Sequence, residues 1–247
     1  MEDFSRYARQ TALEGFGIER QRRLRSASVA VVGAGGVGGG ALAAIVGAGI
    51  GRVRIVDCDK VQLSNLHRQT LYRETDLGKP KAECAASALR ALNSQAEILP
   101  LDMEFRVGDS ASESAVQDSD IIIDATDSFA SRAKVSSVCQ KFGKRLVMAS
   151  AQGFQAQTLL FGDGFYLRDA LADACSANGE SEAGQPQSPP IFAPAAHVSG
   201  ALAAAEAILA LATEFARYEP GKFVSFDLAE SRFFKTNIRP KNTANPS

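Results

Sequence analysis

Between Gly33 and Gly38 the chain reads Gly-Ala-Gly-Gly-Val-Gly, straight after the apolar run Val29-Ala30-Val31-Val32 and before the small apolar stretch Ala41 to Val46. At Gly33, Gly35, Gly36 and Gly38 no side chain holds backbone N–H groups away from an anion. A helix starting there also turns its positive end toward a phosphate. Asp57 follows roughly 20 residues on, at the end of the alternating segment Arg-Val-Arg-Ile-Val (Arg52 to Val56), where a carboxylate can accept ribose hydroxyls. This spacing points to a bound nucleotide. By itself it leaves NAD and ATP both open.

The next charged cluster bears on that choice. Asp57-Cys58-Asp59 leads into Ser64-Asn65-Leu66-His67-Arg68-Gln69 and then Gly78-Lys79-Pro80-Lys81. A hydride-transfer site has no use for so many cations, whereas a site handling a triphosphate does, because Arg and Lys stabilise charge that develops during phosphoryl or nucleotidyl transfer. Asp59, Asn65, Arg68 and Lys81 are therefore candidates for phosphate handling. Asp124-Ala125-Thr126-Asp127-Ser128 closes the sharpest apolar run in the chain. Asp127 there suits a metal-bridged phosphate, and Asp124 suits local hydrogen bonding or capping. The only two histidines, His67 and His197, accompany no recognisable nucleophile and are assigned structural roles.

The elements that must carry these residues alternate in type. Strands are expected at Val29–Val32, Arg52–Val56, 96–101, Asp120–Asp124, Leu146–Ala149, Ala156–Phe161, Phe223–Asp227 and Arg232–Ile238. Helices are expected at Glu14–Ser26, Ala41–Val46, Lys81–Leu92 and Val198–Ala216. The pattern predicts an α/β fold, a Rossmann-like doubly wound and mostly parallel sheet with right-handed crossovers and a C-terminal antiparallel extension. One domain over residues 1–247 is the economical division. The polar Gly/Ser/Pro-rich segment at 170–190 reads as a flexible loop, and the tail from 241 as frayed.

Composition narrows the class. Lys+Arg at 27 against Asp+Glu at 28 gives a net charge of −1, which offers no bulk attraction to nucleic acid or a membrane surface. The glycine-broken stretch Ser28–Gly51 does not suit a spanning helix, and MEDFSRYARQ lacks a signal-peptide core, so a cytoplasmic protein is expected. Cys58, Cys84, Cys139 and Cys175 are isolated and form no paired thiolate site, so no structural zinc is expected. The first three read as packing residues; Cys175, in the polar loop, is weakly placed for chemistry.

Taken in order, Arg6-Tyr7-Ala8-Arg9-Gln10, Gly33 to Gly38, Asp57-Cys58-Asp59, Ser64 to Gln69, Gly78 to Lys81 and Asp124 to Asp127 resemble the ThiF/MoeB/HesA adenylyltransferases, bacterial relatives of ubiquitin-activating enzymes. Fainter likeness continues through Ala193-Pro194, the 199–211 helix, Phe226-Asp227 and Arg232-Phe233, so it covers most of the chain. The Ser-Asn-Leu-x-Arg-Gln and Arg-Tyr-x-Arg-Gln elements are its most specific parts. The resemblance implies a homodimer that uses ATP and Mg²⁺ to adenylate the C-terminal Gly-Gly carboxylate of a small ubiquitin-like sulfur-carrier protein, with a sulfurtransferase as a further partner. It also implies roles. Gly33, Gly35, Gly36 and Gly38 hold phosphates and Asp57 holds the ribose. Arg68 and Lys81 grip phosphate oxygens, Asn65 orients phosphates, and Asp127 holds the metal. Asp59, Ser64, Leu66, His67 and Ser128 belong to the same nucleotide-contacting segments. Arg9 reaches into the partner subunit's site. The chain departs from the family in lacking two Cys-x-x-Cys pairs.

Three other readings compete. A threonylcarbamoyladenosine dehydratase-like enzyme acting on tRNA fits the missing zinc cysteines, but not the near-zero charge or the Ser64–Gln69 element. A non-catalytic subunit of a heterodimeric activating enzyme would lose the cations that this chain keeps. An NAD-dependent oxidoreductase would need an acid/base pair, and none accompanies the glycines.

Overall fold

The computed structural model describes residues 4–172 and 190–238. Within them, strands β1 (Ser28–Val32), β2 (Arg52–Val56), β3 (Glu97–Leu101), β4 (Ile121–Asp124), β5 (Arg145–Gln152), β6 (Gln155–Phe161), β7 (Lys222–Asp227) and β8 (Arg232–Asn237) form one sheet. Its order is β3-β2-β1-β4-β5-β6-β7-β8. The five strands from β3 to β5 run parallel, and β6, β7 and β8 add an antiparallel extension. Every residue of β1 and β4 is buried, which is why these strands read as unbroken apolar runs rather than alternating ones. The strand order reverses between β1 and β4, so their carboxyl ends flank the crevice where open α/β sheets hold ligands.

Eight helices accompany the described strands: α1 (Ala8–Thr11), α2 (Gly17–Ser26), α3 (Gly36–Ala48), α4 (Lys81–Leu92), α5 (Ser110–Gln117), α6 (Phe129–Lys141), α7 (Leu167–Ala172) and α8 (Ala193–Ala212). One apolar core gathers Leu42 and Ile45 of α3, Leu89 of α4 and Ala204 of α8 with β1 and β2. The other joins Val116 of α5 and Val135 and Val138 of α6 to Ile122 and Leu146. By length and composition α8 could cross a membrane. Here it lies along α3 at very short range: a Cβ on Gly200 would come within 2.4 Å of the Val37 carbonyl oxygen.

Several boundaries differ from the sequence expectation for physical reasons. Helix α2 starts at Gly17, because Gly15 and Gly17 take positive φ and break the segment before it. Helix α8 begins at Ala193, with Pro194 in the first turn where its missing N–H costs nothing. It stops at Ala212, short of 216, where Glu214 and Phe215 adopt φ of 54° and 66°. Helices α5, α6 and α7 were not expected, and α7 runs to Ala172 inside the segment read as a loop. Residues 173–189, with Cys175, and the tail from 239 lie outside the described residues.

The two margins of the sheet differ. In β3 the Glu97 N–H bonds Gly51 O and the Leu101 oxygen accepts from Asp57, so alternate residues face β2. Pro100 falls between them, its nitrogen on the open side. On the far margin all six residues of β8 are exposed, Phe233 and Phe234 included.

Candidate active site

The glycine turn leaves β1 and enters α3 at the switch-point crevice. Gly33 takes φ of 92°, and a Cβ there would sit 2.8 Å from the Ala125 carbonyl oxygen; one on Gly38 would sit 1.8 Å from Gly33 O. Only glycine fits either position, so the turn packs directly on the loop after β4. No side chain caps the start of α3, where Gly35 is the N-cap. Its first-turn N–H groups therefore have no anionic side chain to satisfy them.

Asp57 holds the turn in shape. Its Oδ2 accepts from Ala34 N at 2.6 Å and its Oδ1 from Asp59 N at 2.8 Å. Burial pushes this carboxyl up, while the two backbone donors and the nearby Lys81 pull it down. The Ala34 carbonyl is tied as well, accepting from the buried Tyr72 hydroxyl at 2.6 Å. Burial raises that phenol above its ordinary value, so it stays a donor. Asp59 in turn accepts from Lys81 Nζ at 2.8 Å.

Arg68 lies against the start of α3: a Cβ on Gly36 would stand 3.2 Å from its Cγ and 3.2 Å from its carbonyl oxygen. Its Nη1 meets Ser64 O at 3.2 Å and His67 Nε2 at 2.8 Å. Asn65 shapes this turn through its carbonyl, which accepts from the N–H groups of Arg68 and Gln69. Leu66 packs on the core. Gln69 is buried with Oε1 unpartnered, and its Nε2 lies 3.5 Å from where a Cβ on Gly35 would be.

On the β4 side, Asp124 is fully buried. Its Oδ1 accepts from Thr126 N at 2.9 Å and Thr126 Oγ1 at 2.7 Å, while Oδ2 has no partner. This turn holds up Asp127, which is exposed and has no hydrogen bond or ion pair among the described residues. Ser128 caps α6, accepting from Ser131 N at 3.0 Å.

The glycine turn, Asp57, Asp59, Arg68, Lys81 and the Asp124–Ser128 loop thus form one chain of contacts. Arg9 is elsewhere. Its neighbour Gln10 bonds Ala48 O at 3.0 Å, at the far end of α3. A helix of 13 residues is about 20 Å long, so Arg9 does not reach this site. Cys139 is buried and Cys84 half-buried, in keeping with packing roles, but Cys58 is exposed between Asp57 and Asp59, which corrects that expectation. Sequence reasoning missed Tyr72 and the contact of His197 with Arg68, both made through backbone carbonyls that no motif reports.

The ThiF family model matches residues 7–247. The chain belongs to the ThiF family. Its ThiF-type relatives include the molybdopterin-synthase adenylyltransferase of Salmonella typhimurium, 33% identical over 94% of this chain and 91% of that protein. The sulfur carrier protein adenylyltransferase of Thermus thermophilus is 40% identical over 65% of this chain. The adenylyltransferase and sulfurtransferase MOCS3 of Aedes aegypti is 40% identical over 64%. The matched stretch spans only 58% of the Thermus protein and 36% of the mosquito one. Among solved structures, E. coli MccB shares the fold with a TM-score of 0.80 at 21% identity, over 99% of this chain and 74% of that one.

Proposed function

We propose that this protein adenylates the C-terminal Gly-Gly carboxylate of a small ubiquitin-like sulfur-carrier protein, using ATP and releasing pyrophosphate. The observation that carries this reading is the convergence of an uncapped helix start, two cations and an unpartnered carboxylate on one crevice. Adenylyltransferase names among the relatives, including similarity to the Salmonella protein over 94% of this chain, support it.

The acceptor carboxylate is already ionised, so the reaction needs no general base. A carboxylate oxygen bonds the α-phosphorus, the α–β bridging P–O bond breaks, and pyrophosphate leaves with the electron pair. The protein supplies alignment and positive charge. First-turn N–H groups of α3 and Arg68 hold phosphate oxygens, Lys81 exchanges Asp59 for phosphate, and Asp57 holds the turn while offering its remaining lone pairs to ribose hydroxyls. Among the described residues no group of three or more His, Cys, Asp or Glu is gathered to cage a metal. A lone carboxylate beside phosphates nevertheless suits Mg²⁺, which retains waters and shares substrate oxygens. Asp127 would hold that ion, which neutralises phosphate charge when bound. The enzyme acts as a homodimer, with Arg9 completing the partner subunit's site.

ATP–pyrophosphate exchange tests the reading. Exchange should require a carrier ending in Gly-Gly and vanish with a carrier trimmed of those residues. Exchange indifferent to the carrier, or none at all, overturns it.

A further inference from the structure

The chain has two histidines, and both touch Arg68. His197, in the first turns of α8, places Nε2 at 2.9 Å from the Arg68 carbonyl oxygen. A carbonyl only accepts, so this Nε2 carries a proton. His67 places its own Nε2 at 2.8 Å from Arg68 Nη1. A guanidinium only donates, so in this contact the His67 Nε2 is the acceptor. One histidine thus fixes the backbone of Arg68 and the other its head group.

The surroundings give these bonds leverage. Gly36, the first residue of α3, is met by both Ala196 and Arg68; a Cβ on it would lie 3.0 Å from the Ala196 Cβ and 3.2 Å from the Arg68 Cγ. His197 follows Ala196, and its backbone faces Gly40. The starts of α3 and α8 and the Arg68 turn therefore share one junction without intervening side chains. The entry to α8 is itself tied to the β5–β6 hairpin, through Phe192 N to Gly153 O at 2.9 Å. Arg68 is half-buried in a turn whose remaining bonds are local, to Ser64 and Asn65. Of the hydrogen bonds Arg68 makes among the described residues, only that from His197 comes from a distant element.

We infer that His197 and His67 are positioning residues that hold Arg68 over the start of α3 and so set the site's grip on a polyphosphate. This rests on the proposed nucleotide site, and neither histidine needs to touch the nucleotide. Loss of either bond leaves the glycine turn and the adenosine-binding groups intact while letting the cation drift. The defect therefore grows with the number of phosphates on the ligand.

Asparagine and glutamine separate geometry from mere presence of a polar group. Glutamine extends its amide to about the place of Nε2, and asparagine stops near Nδ1. Binding of ATP and of AMP to the whole protein is measured by calorimetry without carrier. His197→Asn and His67→Asn should each weaken ATP binding about fivefold, the size of one hydrogen bond, and AMP binding by less than about twofold. His197→Gln and His67→Gln should return ATP binding to within about twofold of wild type. In an Arg68→Ala background the asparagine changes should have no further effect, since the group through which they act is gone. Equal losses for ATP and AMP, no loss, failure of glutamine to restore, or an undiminished loss without Arg68 each overturn the inference. Wild type that binds ATP but never exchanges pyrophosphate refutes the adenylation reading and leaves this result standing. Wild type that binds no ATP refutes both.

Discussion

Lys81 and Asp59 form a 2.8 Å ion pair whose two members live in different solvents: the lysine side chain is 7% exposed, the aspartate 66%. The pair therefore breaks unequally. Removing the lysine leaves a carboxylate in water, while removing the aspartate leaves a buried ammonium with no hydrogen-bonded counter-ion and only the neighbouring Asp57 charge to offset it. Lys81→Met should change stability by less than about 1 kcal/mol, and Asp59→Ala should cost more, about 1–2 kcal/mol after solvent screening of the exposed partner. Pyrophosphate exchange should fall about 100-fold or more in Lys81→Met, the scale of a lost transition-state cation. Melting and exchange measured on the same preparations check both halves.

Asp127 contributes nothing visible to packing. Asp127→Ala should melt within about 2 °C of wild type, as an exposed substitution does. Its exchange activity should nevertheless drop by about 100-fold or more. Wild-type exchange in this variant would remove Asp127 from the site.

Arg9 lies one helix length from the glycine turn, so the role proposed for it is one played in trans. Arg9→Ala and Asp127→Ala homodimers should each be inactive. In a mixed dimer one site carries both lesions and the other carries neither. Re-association of equal amounts should recover roughly a quarter of wild-type activity, half the dimers being mixed with one good site each. No recovery from verified mixed dimers would make Arg9 a local structural residue.

Two glycines of the same region should respond oppositely to alanine. Gly33→Ala meets both an unfavourable φ and the Ala125 carbonyl, and should destabilise by about 1–3 kcal/mol. Gly47, inside α3, has nothing within 4 Å of an added Cβ, so Gly47→Ala should stabilise by about 0.5–1 kcal/mol. In a chain of this size each kcal/mol moves the melting temperature by about 2–4 °C, readily seen by calorimetry.

Asp124 should leave a signature in the pH dependence of stability. Burial raises its carboxyl from the ordinary 3.8, with the two Thr126 bonds opposing the shift. A raised folded value means that the native state binds the proton more tightly than the unfolded chain. Its ionised form thus costs stability above the folded value, and that cost disappears as pH falls toward 3.8. Asp124→Asn keeps an acceptor for Thr126 and removes the charge. It should melt above wild type at pH 8, by about 2–4 °C for each kcal/mol relieved, with the gap closing at pH 4. A gap independent of pH would mean that folding does not shift this carboxyl at all.

Legibility in the sequence followed the source of each element's stability. β1 and β4 were plain because strands buried on both faces must be apolar throughout, β2 because Arg52 and Arg54 alternate with buried Val53 and Ile55, and α4 spans Lys81 to Leu92 as its sequence predicts. Helices α5 and α6 escaped notice because Ser-rich segments carry weak helical periodicity; their starts were nonetheless marked by capping side chains, Asp109 and Ser128. Within the site, Gly33, Asp57 and Lys81 were legible because local spacing encodes them. Tyr72 and His197 were not, since each acts on a carbonyl 38 or 129 residues away, and any residue type supplies a carbonyl.

The unequal margins of the sheet make it a one-ended template. Along β3 the outward-facing residues are Ile98 and Pro100, and the proline removes one of the two N–H groups that a newcomer strand would need. Along β8 no proline interrupts Arg232 to Asn237, so the outward backbone groups form an intact row. Among the described residues, Arg232, Lys235 and the strand's short length are what deters annexation there. Lateral growth of this sheet, whether by a guest peptide or by misassembly, is therefore directional, proceeding from the carboxyl-terminal side and stopping at Pro100.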